Sequence, residues 1–224
     1  MRPFHPSLGD LPAEIPVFPL PGALLLPQGR LPLNIFERRY LNMVEDALGL
    51  GRMFGMIQPD ASAPAAEHGP GLCRVGCLGR LSSFSETEDG RFLITLNGVI
   101  RFRVAAELEP RRLYRRVRAD YASFAMDLDL TPNGALADRP GLLAALRGFF
   151  RSRGIEANWS AIEQTPDAEL LTTLSMVCPF EPREKQALLE VATPDDRARL
   201  LLALLHMAAQ AGSHGEPPPG SKPS

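Results

Sequence analysis

The stretch that most limits how this chain can fold is Arg91–Val104. Phe92, Ile94, Leu96, Gly98, Ile100, Phe102 and Val104 share one parity, while Arg91, Thr95, Asn97, Arg101 and Arg103 mostly fill the other. Strict alternation is the period of a strand with one face in a core and one in water. Burying the large side chains of that face, at about 1.5–3 kcal/mol each, would make this strand the centre of a hydrophobic core. Asp89-Gly90 directly before it is a hairpin signal and pairs it with a second strand-like run, Leu72–Glu86. Gly98, in mid-run, predicts a bulge or a sharp coil.

The rest of the first half is also β-like. Ile15–Leu20 is apolar but carries Pro16 and Pro19, which predicts an edge or bent strand because each proline removes a ladder donor. Leu31–Phe36 is extended, and 53–58 is a short apolar strand. Between them, Tyr40, Leu41, Val44, Ala47 and Leu48 recur at helical spacing, with Arg38, Asn42 and Glu45 on another face, so Glu37–Leu50 is expected to be an amphipathic helix stopped by Gly49 and Gly51. Tyr114–Phe124 reads as a further strand, and 60–71 as a loop.

Thr131–Asp138 breaks the composition, and everything beyond it reads helical. Leu142, Leu146 and Phe149 form a stripe that ends at Gly154. Thr165-Pro166-Asp167 and Thr193-Pro194-Asp195 are both capping residues followed by proline at the first helical position. The expected class is therefore α+β with the two kinds of structure segregated: a β-rich unit with one inserted helix over 12–125, a helical unit over 136–211, and a disordered Gly/Pro/Ser tail over 212–224. A chain of 224 residues fits one large domain or two small ones.

Charge and motif content remove several functions. The 24 Lys+Arg against 26 Asp+Glu leave a formal charge of −2, which supplies no global attraction to nucleic acid or to an anionic membrane. Only Lys185 and Lys222 are lysines, and neither sits in a glycine-rich turn, so a Walker nucleotide site is excluded. Dinucleotide-binding, Gly-x-Ser-x-Gly and His-Glu-x-x-His motifs are missing, and a hydrolase has no nucleophile–base arrangement to stand on. Three cysteines, Cys73, Cys77 and Cys178, do not suggest a disulfide scaffold. Cys73 and Cys77 on one strand would lie about 13 Å apart, beyond disulfide reach. The four histidines stand singly, so no metal site is expected, and no cofactor. The N-terminus lacks a signal-peptide core, and 15–29 is too short and proline-rich to span a bilayer, which makes a cytoplasmic protein the default.

One basic concentration remains: Arg111, Arg112, Arg115, Arg116 and Arg118, interleaved with Tyr114 and Tyr121. It reads either as a solvated strand in an arginine-rich chain or as a phosphate-contacting, base-stacking surface.

The ordered motifs Ile15-Pro-Val-Phe-Pro-Leu-Pro-Gly22, Leu26-Pro27, Leu31-Pro-Leu-Asn-Ile-Phe-Glu-Arg-Arg-Tyr40, Phe54-Gly-Met-Ile57, Val75-Gly-Cys-Leu78, Leu96-Asn-Gly-Val-Ile-Arg-Phe-Arg-Val104 and Glu184-Lys-Gln-Ala-Leu-Leu-Glu190 closely resemble the N-terminal, substrate-binding domain of Lon proteases. The resemblance covers about 12–208. It implies a twisted β pseudo-barrel related to PUA-like folds, followed by a helical bundle, and a non-catalytic role in binding unfolded or exposed-apolar polypeptide. Because the sequence ends in a Pro/Gly tail where those proteases continue into ATPase and peptidase modules, it looks like a stand-alone member. The expected role is an adaptor or regulator of ATP-dependent proteolysis, with a Lon-type protease as a partner and a monomer or weak dimer as the active form.

Recognition of that kind needs an apolar patch rimmed by charge, or a free strand edge. The candidate residues are Phe36, Glu37, Arg38, Arg39 and Tyr40, where strand passes into helix, with Asn42 on the same outward face. The competing reading makes Phe36 and Tyr40 core residues that fix the helix on the barrel. The proline-rich stretch Pro19–Pro27 adds apolar surface. The PUA-like relationship keeps an RNA-binding alternative, carried by Arg115, Arg116 and Arg118.

Overall fold

The Asp89-Gly90 turn joins β4 (Val75–Glu86) to β5 (Phe92–Arg111), with Gly90 at φ 76°. The computed structural model describes residues 6–64, 69–129 and 136–213, with backbone only for 211–213. The expected tail at 212–224 begins inside the last helix, which runs to Ser213, and its residues 214–224 and most of the 131–138 break lie outside the described residues. Around the hairpin, β1 (Glu14–Pro19), β2 (Arg30–Ile35), β3 (Met53–Ile57) and β6 (Tyr114–Asp120) complete a six-stranded sheet ordered β2-β5-β4-β3-β1-β6. β5 is long enough to pair twice. Phe92–Asn97 lies against β2, while Arg103–Arg111 lies against β6, so the sheet closes on itself and leaves β2 outside the closure.

The alternation in β5 holds at Phe92, Ile94, Leu96, Ile100 and Phe102, all buried. An irregularity does fall at Gly98: the pairs Leu78↔Ile100 and Gly79↔Gly98 leave Val99 as an extra residue. Gly98 is needed for closeness of approach. A Cβ there would lie 1.9 Å from the Leu26 carbonyl oxygen, and Gly98 both donates to Gly29 and accepts from Gln28. The expectation that Arg101 faces water is overturned: Arg101 is buried, because the 3-10 segment Ala122–Leu128 covers that part of β5. Asp127 takes the Arg101 guanidinium at 2.8 Å, and Phe124 stacks beneath it. The strand expected over 114–124 therefore stops at Asp120.

β1 is not an edge. β3 runs parallel to it on one side and β6 antiparallel on the other. The prolines are tolerated because Pro16 lies abreast of β6 alone and Pro19 abreast of β3 alone, with only Val17 paired on both sides. The helix α1 (Arg38–Gly49) buries Tyr40, Met43, Val44 and Ala47, and also Asn42, which the sequence placed outward.

The helices α2 (Arg139–Arg153), α3 (Trp159–Gln164), α4 (Asp167–Val177), α5 (Pro182–Glu190) and α6 (Pro194–Ser213) follow. Asp138 caps α2 by accepting from Gly141, and Gly154 ends it at φ 63°. Thr193 caps α6 as its sequence suggests, whereas the Thr165 hydroxyl turns back to the Ala161 carbonyl instead of capping α4. The chain divides into two compact units, one of residues 1–132 with 172–190 and the other of 133–171 with 191–224. Within the first, Lys185 is buried and donates to the carbonyls of Gly22 and Met176. Burial lowers its pKa, with the neighbouring Cys178 opposing. Within the second, α2 packs along α6, and Arg139 pairs with Asp167 and donates to the Glu163 and Thr165 carbonyls.

Candidate polypeptide-binding site

Two residues, Arg112 and Leu113, turn the chain between β5 and β6, since Arg111 pairs with Tyr114. Both have positive φ, 45° and 73°. A tight hairpin turn of this hand normally takes Asn-Gly, because side chains other than Gly, Asn or Asp resist this region at a cost of about 1–3 kcal/mol each. The strain is held by α1. The Arg112 guanidinium reaches Asp46 and Glu45 at 2.7 Å and the Asn42 side-chain oxygen at 3.0 Å, while the Asn42 amide donates back to the Arg112 carbonyl at 3.0 Å. Tyr114 donates its hydroxyl to Asp46 at 2.7 Å. Asn42 is thus a clamp rather than an outward contact, which corrects its expected place.

The clamped turn carries Leu113 at its tip, 75% exposed. Beside it, an open cleft of about 190 Å³ is lined by Pro19, Arg39, Tyr40, Pro110, Leu113 and Arg115. Small-molecule pockets run about 300–1,000 Å³, so the space suits a side chain or two of a polypeptide better than a cofactor. The Tyr40 ring packs 4.1 Å from that of Phe18, with the Arg39 guanidinium 4.5 Å above it. Tyr40 is only 4% exposed. Burial raises its pKa, and Glu37 adds to this against the charges of Arg39 and Arg115, so the phenol stays protonated and able to donate.

Of the candidates read from sequence, Arg39 and Tyr40 line the cleft. Glu37 pairs with Arg39 at 2.8 Å, Arg38 is exposed, and Phe36 stands outside the cleft, 63% exposed beneath Arg91. Arg115 lines the cleft from a buried position, held by both Glu107 oxygens at 2.6 and 2.8 Å and by the Pro70 carbonyl at 2.7 Å. Arg116 and Arg118 both reach Glu14, at 2.7 and 3.5 Å. The residues missed from sequence are Pro110 and Leu113. A turn built from Arg-Leu carries no Gly, Asn or Asp to announce it, and two strand-like runs meeting at a large apolar residue were the available hint. Among the described residues, no group of three or more His, Cys, Asp or Glu is placed to hold a metal ion, and no helix is long and apolar enough to cross a membrane.

Residues 14–207 match the family described as the ATP-dependent protease La (LON) substrate-binding domain. The chain belongs to this Lon substrate-binding family. Among curated relatives, Lon protease 2 of Sorangium cellulosum is 30% identical over 208 residues, which is 86% of this chain and 24% of that protein. Lon protease 2 of Myxococcus xanthus is 26% identical over 204 residues, 88% of this chain and 24% of that protein. The chain thus spans about a quarter of the length of these relatives. The Lon N-terminal domain protein from Xanthomonas campestris shares the fold at a TM-score of 0.60 and 22% identity, covering 85% of this chain and 97% of that one. The N-terminal domain of a Mycobacterium avium complex Lon protease does so at 0.58 and 15%, covering 86% and 97%. The mixed sheet with helices is that of Lon N-terminal domains, and the family match is to the substrate-binding domain of that protease.

Proposed function

We propose that this Lon-type module captures unfolded or exposed-apolar polypeptide at the Tyr40–Leu113 cleft and serves as an adaptor or regulator of ATP-dependent proteolysis, with a Lon-type protease as its partner. The observation that carries the reading is Leu113: an apolar side chain held in solvent, on a strained backbone, by polar bonds from α1 to the residues on either side of it. Strain kept at a surface position points to use of that position. Pro19, Pro110 and Leu113 would take an apolar side chain, and the Tyr40 hydroxyl would donate to a main-chain carbonyl beside it. Arg39 and Arg115 rim the cleft with their charges already balanced by Glu37 and Glu107, which suits an uncharged segment. Cytoplasmic action suits three cysteines of which none forms a disulfide.

The test is binding of a reduced, carboxymethylated and dye-labelled model protein, permanently unfolded, compared with its native form. Wild type is expected to bind the unfolded form selectively. Leu113→Glu should weaken capture about tenfold. Leu113→Gly should weaken it similarly while raising stability by about 1 kcal/mol, because glycine relieves the positive φ. Equal affinity of Leu113→Glu and wild type would remove the cleft from the mechanism.

A further inference from the structure

β2 is the strand the closure leaves out. It pairs with β5 over Arg30–Ile35, and among the described residues no strand lies on its other side. The Gly29 carbonyl accepts from Gly98 on β5. With a period of two, Leu31, Leu33 and Ile35 then also turn their backbone groups toward β5, and Arg30, Pro32 and Asn34 turn theirs outward. The outer edge therefore offers the N–H groups of Arg30 and Asn34 and the carbonyls of all three.

Burial along the same strand shows a layer that stops short. Leu31 and Leu33 are half-buried, although Leu96 and Ile94 abreast of them on β5 are 0% and 3% exposed. On the opposite face Leu93, abreast of Asn34, is 46% exposed, and Phe36 follows directly after the strand. Edge strands are normally blunted by charge, proline, bulges or a covering element. Here Arg30 and Pro32 are the guards.

We propose that the outer edge of β2 is a β-augmentation site, which takes an extended, uncharged segment of another polypeptide as a seventh strand. Unpaired backbone groups recognise backbone, so the occupant is a peptide in extended form. Leu31 and Leu33 ask for apolar side chains on one face of it, while its other face lies beside Arg30, Pro32 and Asn34. An extended segment with an apolar face is the kind a folded protein pairs into a sheet and exposes only when unfolded. A second copy of β2 fits less well. In a two-fold antiparallel pairing Pro32 enters twice, so two donors are lost near the centre of a six-residue ladder. The site rests on the polypeptide-binding reading but not on the cleft.

A dye-labelled octapeptide of valine, isoleucine and threonine on a Gly/Ser linker, and the same peptide N-methylated through its four central residues, separate the cases by anisotropy with the whole chain. The parent peptide is expected to bind, the methylated one at least tenfold more weakly. Pro32→Thr, which restores an outward donor, should bind the parent about three- to tenfold more tightly. Exchange of the Arg30 and Asn34 amides should slow when peptide is added. Equal binding of the methylated peptide, an unaltered affinity in Pro32→Thr, or amides already protected in a dimer without peptide would overturn the proposal. Peptide binding that leaves the Arg30 and Asn34 amides unprotected would assign it to the cleft instead.

Discussion

Asp46 holds three side chains of the strained hairpin at once: Arg112 at 2.7 Å, Tyr114 at 2.7 Å and Arg111 at 3.4 Å. Burial alone would raise its pKa, but the hydrogen bonds from Tyr114 and Arg112 and the charges of Arg112 and Arg111 outweigh it and hold the carboxyl below its ordinary value. A carboxylate with a lowered pKa contributes stability above its unfolded value of about 4 and loses it as pH falls through the lower folded value. The stability gap between wild type and Asp46→Asn is therefore expected to be widest at neutral pH and to close below about pH 4, as read by urea unfolding across pH. A gap independent of pH would mean that the Asp46 charge does not hold the turn. At this scale the sequence points to a segment that lines the cleft but not to which of its side chains do so. Phe36–Asn42 spans a strand end, a helix start and one helical turn, and only tertiary partners decide which side chains there face water. Asn42 looks like a surface residue until Arg112, seventy positions later, supplies its partner.

The elements were legible where one periodicity dominated and obscure where a second layer covered them. The Phe92–Phe102 face, α1 and the α2 stripe follow directly from spacing. Arg101 does not, because what buries it is a 3-10 segment with one large anchor, Phe124, and no pattern of its own. The Arg101 and Asp127 side chains are 7% and 10% exposed, and Arg101 also donates to the Leu189 carbonyl at 3.0 Å. Removing one partner of a buried pair leaves the other charge uncompensated, so Arg101→Ala is expected to cost about 3–5 kcal/mol in urea unfolding. Arg101→Met combined with Asp127→Leu should cost clearly less, since no buried charge then remains. If the double variant is as unstable as the single one, packing rather than charge sets the value of the pair.

At the scale of the whole molecule, the composition break after Asp129 invites a cut that the contacts oppose. Thr172–Glu190 groups with the β unit, not with the helices on either side of it in sequence. Its contributions are polar as well as apolar. Lys185 donates to the Gly22 carbonyl at 2.8 Å, Gln186 to the Val75 carbonyl at 3.0 Å, and Gln58 of the β unit donates to the Pro182 carbonyl at 2.9 Å. Pro182 suits the first position of α5, but which surface that helix joins depends on single hydrogen bonds that no local pattern encodes. A fragment ending at Asp129 would leave buried Gln58 and Arg101 short of acceptors at about 1–3 kcal/mol for each such loss, and would uncover the apolar surface beneath α5. The family match over 14–207 spans both segments, as expected if they fold together. The fragment is accordingly expected to show no cooperative urea transition, and a version with Thr172–Glu190 rejoined through a short Gly/Ser linker should recover one. A fragment that unfolds at the midpoint of the full chain would show that the β-sheet closes without its returning helix.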